Sequence, residues 1–232
     1  AMIGIIGAMD IEVNRLIEAM EDKTPETVSR MTFWRGTLAG VACVVARCGA
    51  GKVNSAVCAQ TMILRYGVEI VINTGAAGGV GSRDVKIGDL VVATGVIQHD
   101  YDTTAIDGEN GHNLSLLNES LLPADERVSG LLADCAQEIY AGNVHRGVVA
   151  TGDQFICGNA RLHEIAERTG AVACEMEGGS IGQACALAGV PFAVLRAISD
   201  NADDNAVVDF PKFVLEAAEK SAALLMKALP RL

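Results

Sequence analysis

The stretch IVINTGAAGG, residues 70–79, indicates how this chain folds. Its first four residues, Ile70 to Asn73, predict a strand that opens on three apolar residues as buried strands do, and the glycines and alanines after it permit close approach to the backbone. It matches neither the phosphate-binding loop of nucleotide hydrolases nor the G-x-G-x-x-G pattern of dinucleotide-binding proteins. The stretch therefore predicts a strand that opens at its carboxyl end into either a tight structural turn or a ligand site.

Strand-like and helix-like segments alternate on both sides of this stretch. IGIIG, residues 3–7, predicts the first strand, and the residues from 190 to 198 predict the longest apolar strand. Such alternation indicates a sheet with helices packed on both faces. We expect an α/β fold in which residues 1–232 form a single three-layer α/β/α domain around a central mixed, largely parallel sheet.

Two polar segments interrupt the alternation. Residues 98–123 predict a long functional loop with room for a short hairpin, and residues 199–208 predict a second polar loop. The apolar stripe after the second loop predicts a last helix with Asp209 as its N-terminal cap.

The overall charge excludes some classes of partner. The chain has 29 acidic and 18 basic residues, a net charge of −11. Because such a chain repels phosphate backbones and anionic lipid surfaces, neither nucleic acid nor a membrane is an expected partner. No apolar run reaches the roughly 20 residues that cross a bilayer, and the first residues lack the basic segment of a signal peptide.

The cysteines and histidines show no pattern of a metal site. The seven cysteines include no C-x-x-C pair, and the four histidines are scattered. An odd number of cysteines in apolar stretches predicts free thiols in a reducing cytosol. We expect a cytoplasmic protein that uses no metal and no cofactor.

Carboxylates that follow predicted strands are the first candidates for chemistry, because ligands of open α/β sheets gather at the carboxyl ends of strands. Glu12 follows the first strand in GAMDIE, and Asp200 ends the longest apolar strand in RAISDNAD. Glu175 and Glu177 end another strand in CEMEGG, where carboxylates are costly unless they are used. Each also has a structural interpretation: a helix cap, or for Glu12 a first-turn charge that favours the helix dipole.

An aromatic residue marks another candidate site. Phe155, one of five phenylalanines, lies in the polar, glycine-flanked stretch TGDQFICG. An aromatic ring in such a loop can stack on a base while the neighbouring backbone bonds the edge of that base. The structural alternative is a loop side chain folded into the core.

The set GIIGAM-x-x-E, NTGAAGG, GDQFI, EME and RAISD, in this order and spacing, resembles the 5′-methylthioadenosine/S-adenosylhomocysteine nucleosidases. These enzymes belong to the nucleoside phosphorylase-type superfamily, and the resemblance extends from Ile3 to the last helix. It implies hydrolysis of the N-glycosidic bond of methylthioadenosine, S-adenosylhomocysteine and 5′-deoxyadenosine. The release of adenine would serve methionine salvage and remove inhibitory methyl-cycle products.

The resemblance also implies roles for single residues. Asp200, supported by Ser199, would protonate the five-membered ring of adenine, and Glu12 would deprotonate the attacking water. Glu177 would bind the ribose hydroxyls and favour an oxocarbenium-like transition state. Phe155 would stack on adenine. The remaining members of the implied site are Met9 beside the water and the sugar, Met176 against the ribose, Ile156 with its backbone on the purine edge, Arg196 orienting the acids, Glu175, and Phe210.

Several carboxylates in one pocket repel each other, so at least one of them should hold a proton. An enzyme that needs both an acid and a base benefits when one carboxyl group keeps its proton and another is ionised.

Two positions depart from the family pattern. Ala76 stands where the family commonly has serine, so one hydroxyl contact near the ribose or water is missing. Ile106 lies near a position where an aromatic residue often enters the pocket of the neighbouring subunit. The resemblance implies a homodimer, and these two departures leave the preference among 5′-substituents open.

Three alternatives stay open. A phosphorolytic enzyme of the same fold would need cationic residues for phosphate. No arginine directly precedes the glycine-rich turn, where Ile72, Asn73 and Thr74 stand instead, and Glu12 would repel the phosphate ion. A nucleosidase for another adenine nucleoside, such as aminodeoxyfutalosine, could share the site. A non-catalytic nucleoside-binding protein would not need Glu12, Glu177 and Asp200.

Overall fold

The computed structural model describes residues 1–232. It contains ten strands and seven α-helices. The strands are β1 Ile3–Gly7, β2 Glu21–Val28, β3 Met31–Leu38, β4 Val41–Arg47, β5 Ile70–Gly79, β6 Leu90–Gln98, β7 Leu121–Pro123, β8 Val144–Thr151, β9 Ala173–Glu175 and β10 Phe192–Asp200. The helices are α1 Asp10–Ala19, α2 Lys52–Tyr66, α3 Thr104–Asp107, α4 Glu126–Ile139, α5 Asn159–Thr169, α6 Gly178–Ala188 and α7 Ala206–Ala228.

All strands belong to one mixed sheet. β1 pairs in parallel with β4 and β5, and β5 pairs in parallel with β10. β10 then pairs with β6, β6 with β8, β8 with β9, and β9 returns to β5, so five strands form a closed ring. The hairpin of β2 and β3 extends the sheet beyond β4. This continuous sheet supports the prediction that residues 1–232 are one domain.

Alternate residues of the central strands enter different cores. On β1, Ile5 joins the core beneath α1, α4 and α7, while Ile6 joins the core that α2 and α6 cover. Val45 and Val44 of β4 divide in the same way. Because successive side chains of a strand point to opposite faces, a strand buried on both faces is apolar throughout. The predicted three-layer α/β/α architecture is confirmed.

Some local predictions were wrong or incomplete. The sequence EDKTPETV gave no sign of β2, because this edge strand is largely exposed and polar and contains Pro25. Helix α7 begins at Ala206 with Asn205 as its cap, so Asp209 lies in the first turn and is not the cap. Ala206 is fully buried, so tertiary packing extends the helix beyond the predicted start.

The two polar loops are shorter than predicted. The segment 98–123 contains α3, β7 and a bridge between Leu114 and Glu119 that resembles the expected hairpin.

None of the helices combines the length and the apolarity that a bilayer crossing requires.

Candidate active site

A cavity of about 210 Å³ opens at the carboxyl ends of β1, β5, β8, β9 and β10. It is lined by residues of each of these strands or of the segments that follow them, by Ala50 after β4, and by Phe210 of α7. Every predicted site residue except Arg196 and Ile106 lines it: Met9, Glu12, Ala76, Phe155, Ile156, Glu175, Met176, Glu177, Ser199, Asp200 and Phe210. The topology thus brings together five motifs that are far apart in sequence.

Glu12 lies in the first turn of α1 and is buried. Its Oε2 accepts hydrogen bonds from the backbone N–H groups of Ala8 at 2.7 Å and Met9 at 3.0 Å, and its Oε1 accepts one from Ala76 at 3.0 Å. The bond from Met9 is that of a helix capping box, so the structural interpretation of Glu12 is also correct. The second lone pair of Oε1 stays available to a ligand.

Gly75 makes this arrangement possible. Its φ is +155°, and a Cβ atom there would overlap Oε1 of Glu12. The glycine-rich stretch therefore does more than turn the chain, since it lets a strand end approach a carboxylate closely.

Arg196 lies beneath the cavity floor with 1% of its surface exposed. Its Nη1 donates to the carbonyl of Ala76 at 3.0 Å, and its Nη2 donates to Asn73 Oδ1 at 2.5 Å and to the carboxylate of Glu175. Oε1 of Glu177 is 3.5 Å from Nη2. Burial opposes its charge, but the acidic neighbours raise the pKa of Arg196, so it stays cationic beneath the acids.

Glu175 and Glu177 differ in their surroundings. Glu175 accepts from the hydroxyl of Thr151 and from the backbone N–H of Gly178, the first residue of α6, at 2.7 Å. Glu177 accepts from the N–H of Gly51 at 3.0 Å. Burial raises the pKa of Glu177 to about 7, and Glu175 adds to this rise while Arg196 opposes it.

Asp200 ends β10 and is only 2% exposed. Its Oδ2 accepts from the hydroxyl of Ser199 at 2.9 Å, and its Oδ1 accepts from the N–H of Ala202 at 2.9 Å. Burial raises the pKa of Asp200, although these two bonds oppose the rise. The site thus holds a carboxyl group that keeps a proton to a higher pH than an exposed aspartate does.

Two aromatic rings border the cavity. Phe155, in the loop after β8, meets Phe210 of α7 edge to face with ring centroids 5.5 Å apart. Phe155 remains 44% exposed, so it is not folded into the core, whereas Ile156 beside it is buried. Ile106 lies on α3, is 83% exposed and does not line this cavity.

Seven further residues line the cavity outside the predicted set: Ala8, Ala50, Ala77, Gly78, Gln154, Cys174 and Ala202. Ala50 follows the carboxyl end of β4, so the strand-end rule applied to that strand would have found it. Gln154 lies inside the GDQFI motif that had already been singled out for Phe155.

Comparison with known proteins identifies the family. The sequence model of the Phosphorylase superfamily matches residues 2–230. The 5′-methylthioadenosine/S-adenosylhomocysteine nucleosidase of Shewanella putrefaciens (strain CN-32 / ATCC BAA-453) is 40% identical over 233 residues, covering 99% of both chains. That of Shewanella halifaxensis (strain HAW-EB4) is 38% identical over 235 residues, with the same coverage. This chain belongs to the 5′-methylthioadenosine/S-adenosylhomocysteine nucleosidase family.

Solved nucleosidase structures have the same fold. The enzyme of Neisseria meningitidis in complex with methylthio-immucillin-A superposes with a TM-score of 0.95 at 34% identity, covering 100% of this chain and 99% of that one. The futalosine hydrolase of Helicobacter pylori strain 26695 superposes with a TM-score of 0.92 at 34% identity, covering 100% and 98%. The resemblance inferred from the five motifs and the predicted fold class are therefore confirmed.

Proposed function

We propose that this nucleosidase hydrolyses the N-glycosidic bond of 5′-methylthioadenosine and S-adenosylhomocysteine, releasing adenine and the 5′-substituted ribose for methionine salvage. The observation that carries the proposal is the pairing of two different carboxyl groups in one cavity. Asp200 is buried with a raised pKa, and Glu12 accepts three backbone hydrogen bonds. The choice of substrates follows from the activities for which the relatives are named. The proposed acid–base chemistry follows from the geometry of the two carboxyl groups.

Asp200 acts as the general acid. Its burial raises the pKa of this carboxyl and so favours the protonated form, which is the state that can donate a proton to a ring nitrogen of adenine. Ser199 donates to Oδ2 and stabilises the carboxylate that forms when the proton leaves. Protonated adenine is the better leaving group.

Glu12 acts as the general base. Its three backbone bonds fix the carboxylate, and the free lone pair of Oε1 can accept a hydrogen bond from the attacking water. Glu177, held by Gly51, binds the ribose hydroxyls, and its ionised form favours positive charge on the sugar. Glu175 bonds the first N–H of α6 and the guanidinium of Arg196, so it supports the site from beneath.

The cavity walls fit a nucleoside. Phe155 stacks on the purine with Phe210 behind it, and the backbone of Ile156 bonds the purine edge. Met9 and Met176 pack against the sugar. The methyl group of Ala76 stands where the family commonly has a hydroxyl.

Water is the proposed nucleophile. The residues that line the cavity include no lysine, arginine or histidine, and the guanidinium of Arg196 is engaged by Ala76, Asn73 and Glu175. A phosphate ion would meet Glu12 and Glu177 without a cationic partner. The phosphorolytic alternative is therefore disfavoured.

The test is product analysis of methylthioadenosine cleavage with and without inorganic phosphate. Equal adenine release and free methylthioribose under both conditions are expected. A sugar phosphate that appears only with phosphate would overturn hydrolysis. Asp200→Asn should lose activity while Asp134→Asn, an exposed control on α4, should not. Equal activity of Asp200→Asn and wild type would reject the assignment of the acid.

Futalosine-type nucleosides are a further candidate substrate class, because the futalosine hydrolase of H. pylori has nearly the same fold as this chain. A panel of methylthioadenosine, S-adenosylhomocysteine, 5′-deoxyadenosine and aminodeoxyfutalosine would rank the 5′-substituents by kcat/KM.

We also propose that the chain forms a homodimer in the cytoplasm. The exposed side chains of Val57, Leu64 and Leu187 share one groove between α2 and α6, an apolar face that a second copy would cover. The resemblance to the family implies that Ile106 of one copy lies near the pocket of the other. A solution mass of twice 24.2 kDa is expected, and a monomer at assay concentration would overturn the proposal. The free cysteines support a reducing compartment.

A further inference from the structure

Three loops beside the cavity are joined by charged groups that do not line it. Nζ of Lys52 donates to Oδ1 of Asp100 at 2.7 Å, and Oδ2 of Asp100 accepts from the backbone N–H of Asp153 at 2.8 Å. Oδ1 of Asp153 in turn accepts from the backbone N–H of Lys52 at 2.8 Å. We call Lys52, Asp100 and Asp153 the loop clamp. It closes a ring of bonds between the loops that follow β4, β6 and β8.

The clamp differs from an ordinary surface ion pair. The side chains of Lys52 and Asp100 keep only 19% and 21% of their exposure. Lys52 also donates to Oε1 of Gln98 at 3.1 Å, and Gln98 donates to Gln183 of α6 at 2.7 Å. Burial opposes ionisation, but the bonds from Lys52 and Asp153 lower the pKa of Asp100, so its carboxylate is charged at neutral pH.

Each end of the clamp is joined to a group in the cavity. Gly51, directly before Lys52, donates its N–H to Oε2 of Glu177 at 3.0 Å. Phe155 follows Asp153 by two residues and lines the cavity. Asp100 therefore bonds both to the segment whose Gly51 holds Glu177 and to the segment that places Phe155 at the cavity.

We propose that Asp100 is a positioning residue of the nucleosidase: through Lys52 and Asp153 it holds the Gly51 N–H on Glu177 and the Phe155 loop against the purine. This inference rests on the proposed function. A role limited to stability would leave the reaction of the folded enzyme unchanged. A positioning role alters the ionisation of Glu177.

The direction of that change can be worked out from the groups around Glu177. Arg196 of β10 and the Gly51 N–H lower the pKa of Glu177, whereas burial, Glu175 of β9 and Glu12 of α1 raise it. The thiol of Cys48 also lies near this cluster. If the clamp opens and the Gly51 bond weakens, the pKa of Glu177 rises further.

Removal of the Asp100 charge alone acts in the opposite sense. A lost negative charge lowers the pKa of neighbouring acids, by a small amount at this distance and exposure. The positioning role and the direct charge effect therefore predict opposite shifts of the acidic limb of kcat/KM, which reports ionisation in the free enzyme.

The experiment compares Asp100→Asn and Lys52→Met with Asp102→Asn. Asp102 lies on the same loop and undergoes the same charge change, but its carboxylate bonds only Thr104. For the two clamp variants we expect kcat/KM to fall about tenfold, the size of one lost charge-assisted hydrogen bond. The midpoint of the acidic limb should also move to higher pH, and the shift in Asp100→Asn is the diagnostic one, because loss of the Lys52 cation raises the pKa of neighbouring acids by itself. Lys52→Arg keeps the cation and should restore part of the loss, and Asp102→Asn should match wild type.

Hydrogen exchange gives an independent readout of the geometry. The amides of Gly51, Lys52 and Asp153 should exchange faster in Asp100→Asn than in Asp102→Asn. Wild-type kinetics in both clamp variants, or an acidic limb that stays or moves to lower pH, would overturn the proposal. Failure of both clamp variants to fold would also overturn it, because the clamp would then be structural. A wild-type enzyme that releases no adenine would instead reject the proposed function.

Discussion

Replacement of Glu177 by glutamine should make the protein increasingly more stable than the wild type as pH rises, while it removes activity. Burial raises the pKa of Glu177 from 4.5 to about 7. Between these values the unfolded chain has lost the proton and the native state still binds it, so the free energy of unfolding falls as pH increases. One pKa unit corresponds to about 1.4 kcal/mol, so the wild type loses about 3 kcal/mol between pH 4.5 and pH 7 through this group. The amide of the Glu177→Gln variant cannot titrate, so the variant avoids that loss.

Urea unfolding from pH 5 to pH 8.5 measures the effect. The difference in unfolding free energy between Glu177→Gln and wild type should grow with pH by most of this amount and level off above pH 7. The constant part of the difference contains the altered bonds to Gly51 and Arg196, so only the slope tests the argument. Glu18→Gln, an exposed control on α1, should run parallel to wild type. Parallel curves for Glu177→Gln and wild type would refute the reasoning.

Three further predictions concern the reaction. Ser199→Ala removes a hydrogen bond to the Asp200 carboxylate, so the pKa of Asp200 rises and the basic limb of the kcat/KM profile should move to higher pH; a shift to lower pH would contradict the acid assignment. Phe155→Ala should raise KM for methylthioadenosine about tenfold with kcat less affected, the size of one lost base-stacking contact, and an unchanged KM would remove Phe155 from the purine site. Gly75→Ala should abolish adenine release, because its Cβ would overlap Oε1 of Glu12; an active variant with wild-type melting behaviour would show that this close approach is not needed.

The parts of the fold that depend on local pattern could be predicted from the sequence. Apolar runs marked β1, β5 and β10, and the strand-end rule directed attention to Glu12 and Asp200, which line one cavity. The edge strand β2 could not be predicted, because its residues are polar and show no apolar alternation. It forms a strand through its backbone pairing with β3. The closed ring of strands also depends on pairings such as β9 with β5, which no local pattern encodes.

Contacts between distant parts of the chain account for the rest of the site. The partners of Arg196 and the three members of the loop clamp come from separate loops and strands, so residue type alone could not connect them. Glu175 was grouped with the binding residues, and only the structure shows that its bonds go to Gly178, Thr151 and Arg196.

The proposed acid and the proposed base of the cavity differ in the number of hydrogen bonds that their carboxyl groups accept. Glu12, near the start of the chain, accepts three backbone N–H donors, while Asp200 has one backbone donor and one hydroxyl in a buried position. The burial that raises the pKa of Asp200 and of Glu177 disfavours their charged forms in the folded protein. A site that needs a retained proton on Asp200 therefore carries a stability cost at neutral pH. That cost predicts that amides at these two positions stabilise the fold and stop the reaction, which is the relation expected of groups selected for chemistry rather than for packing.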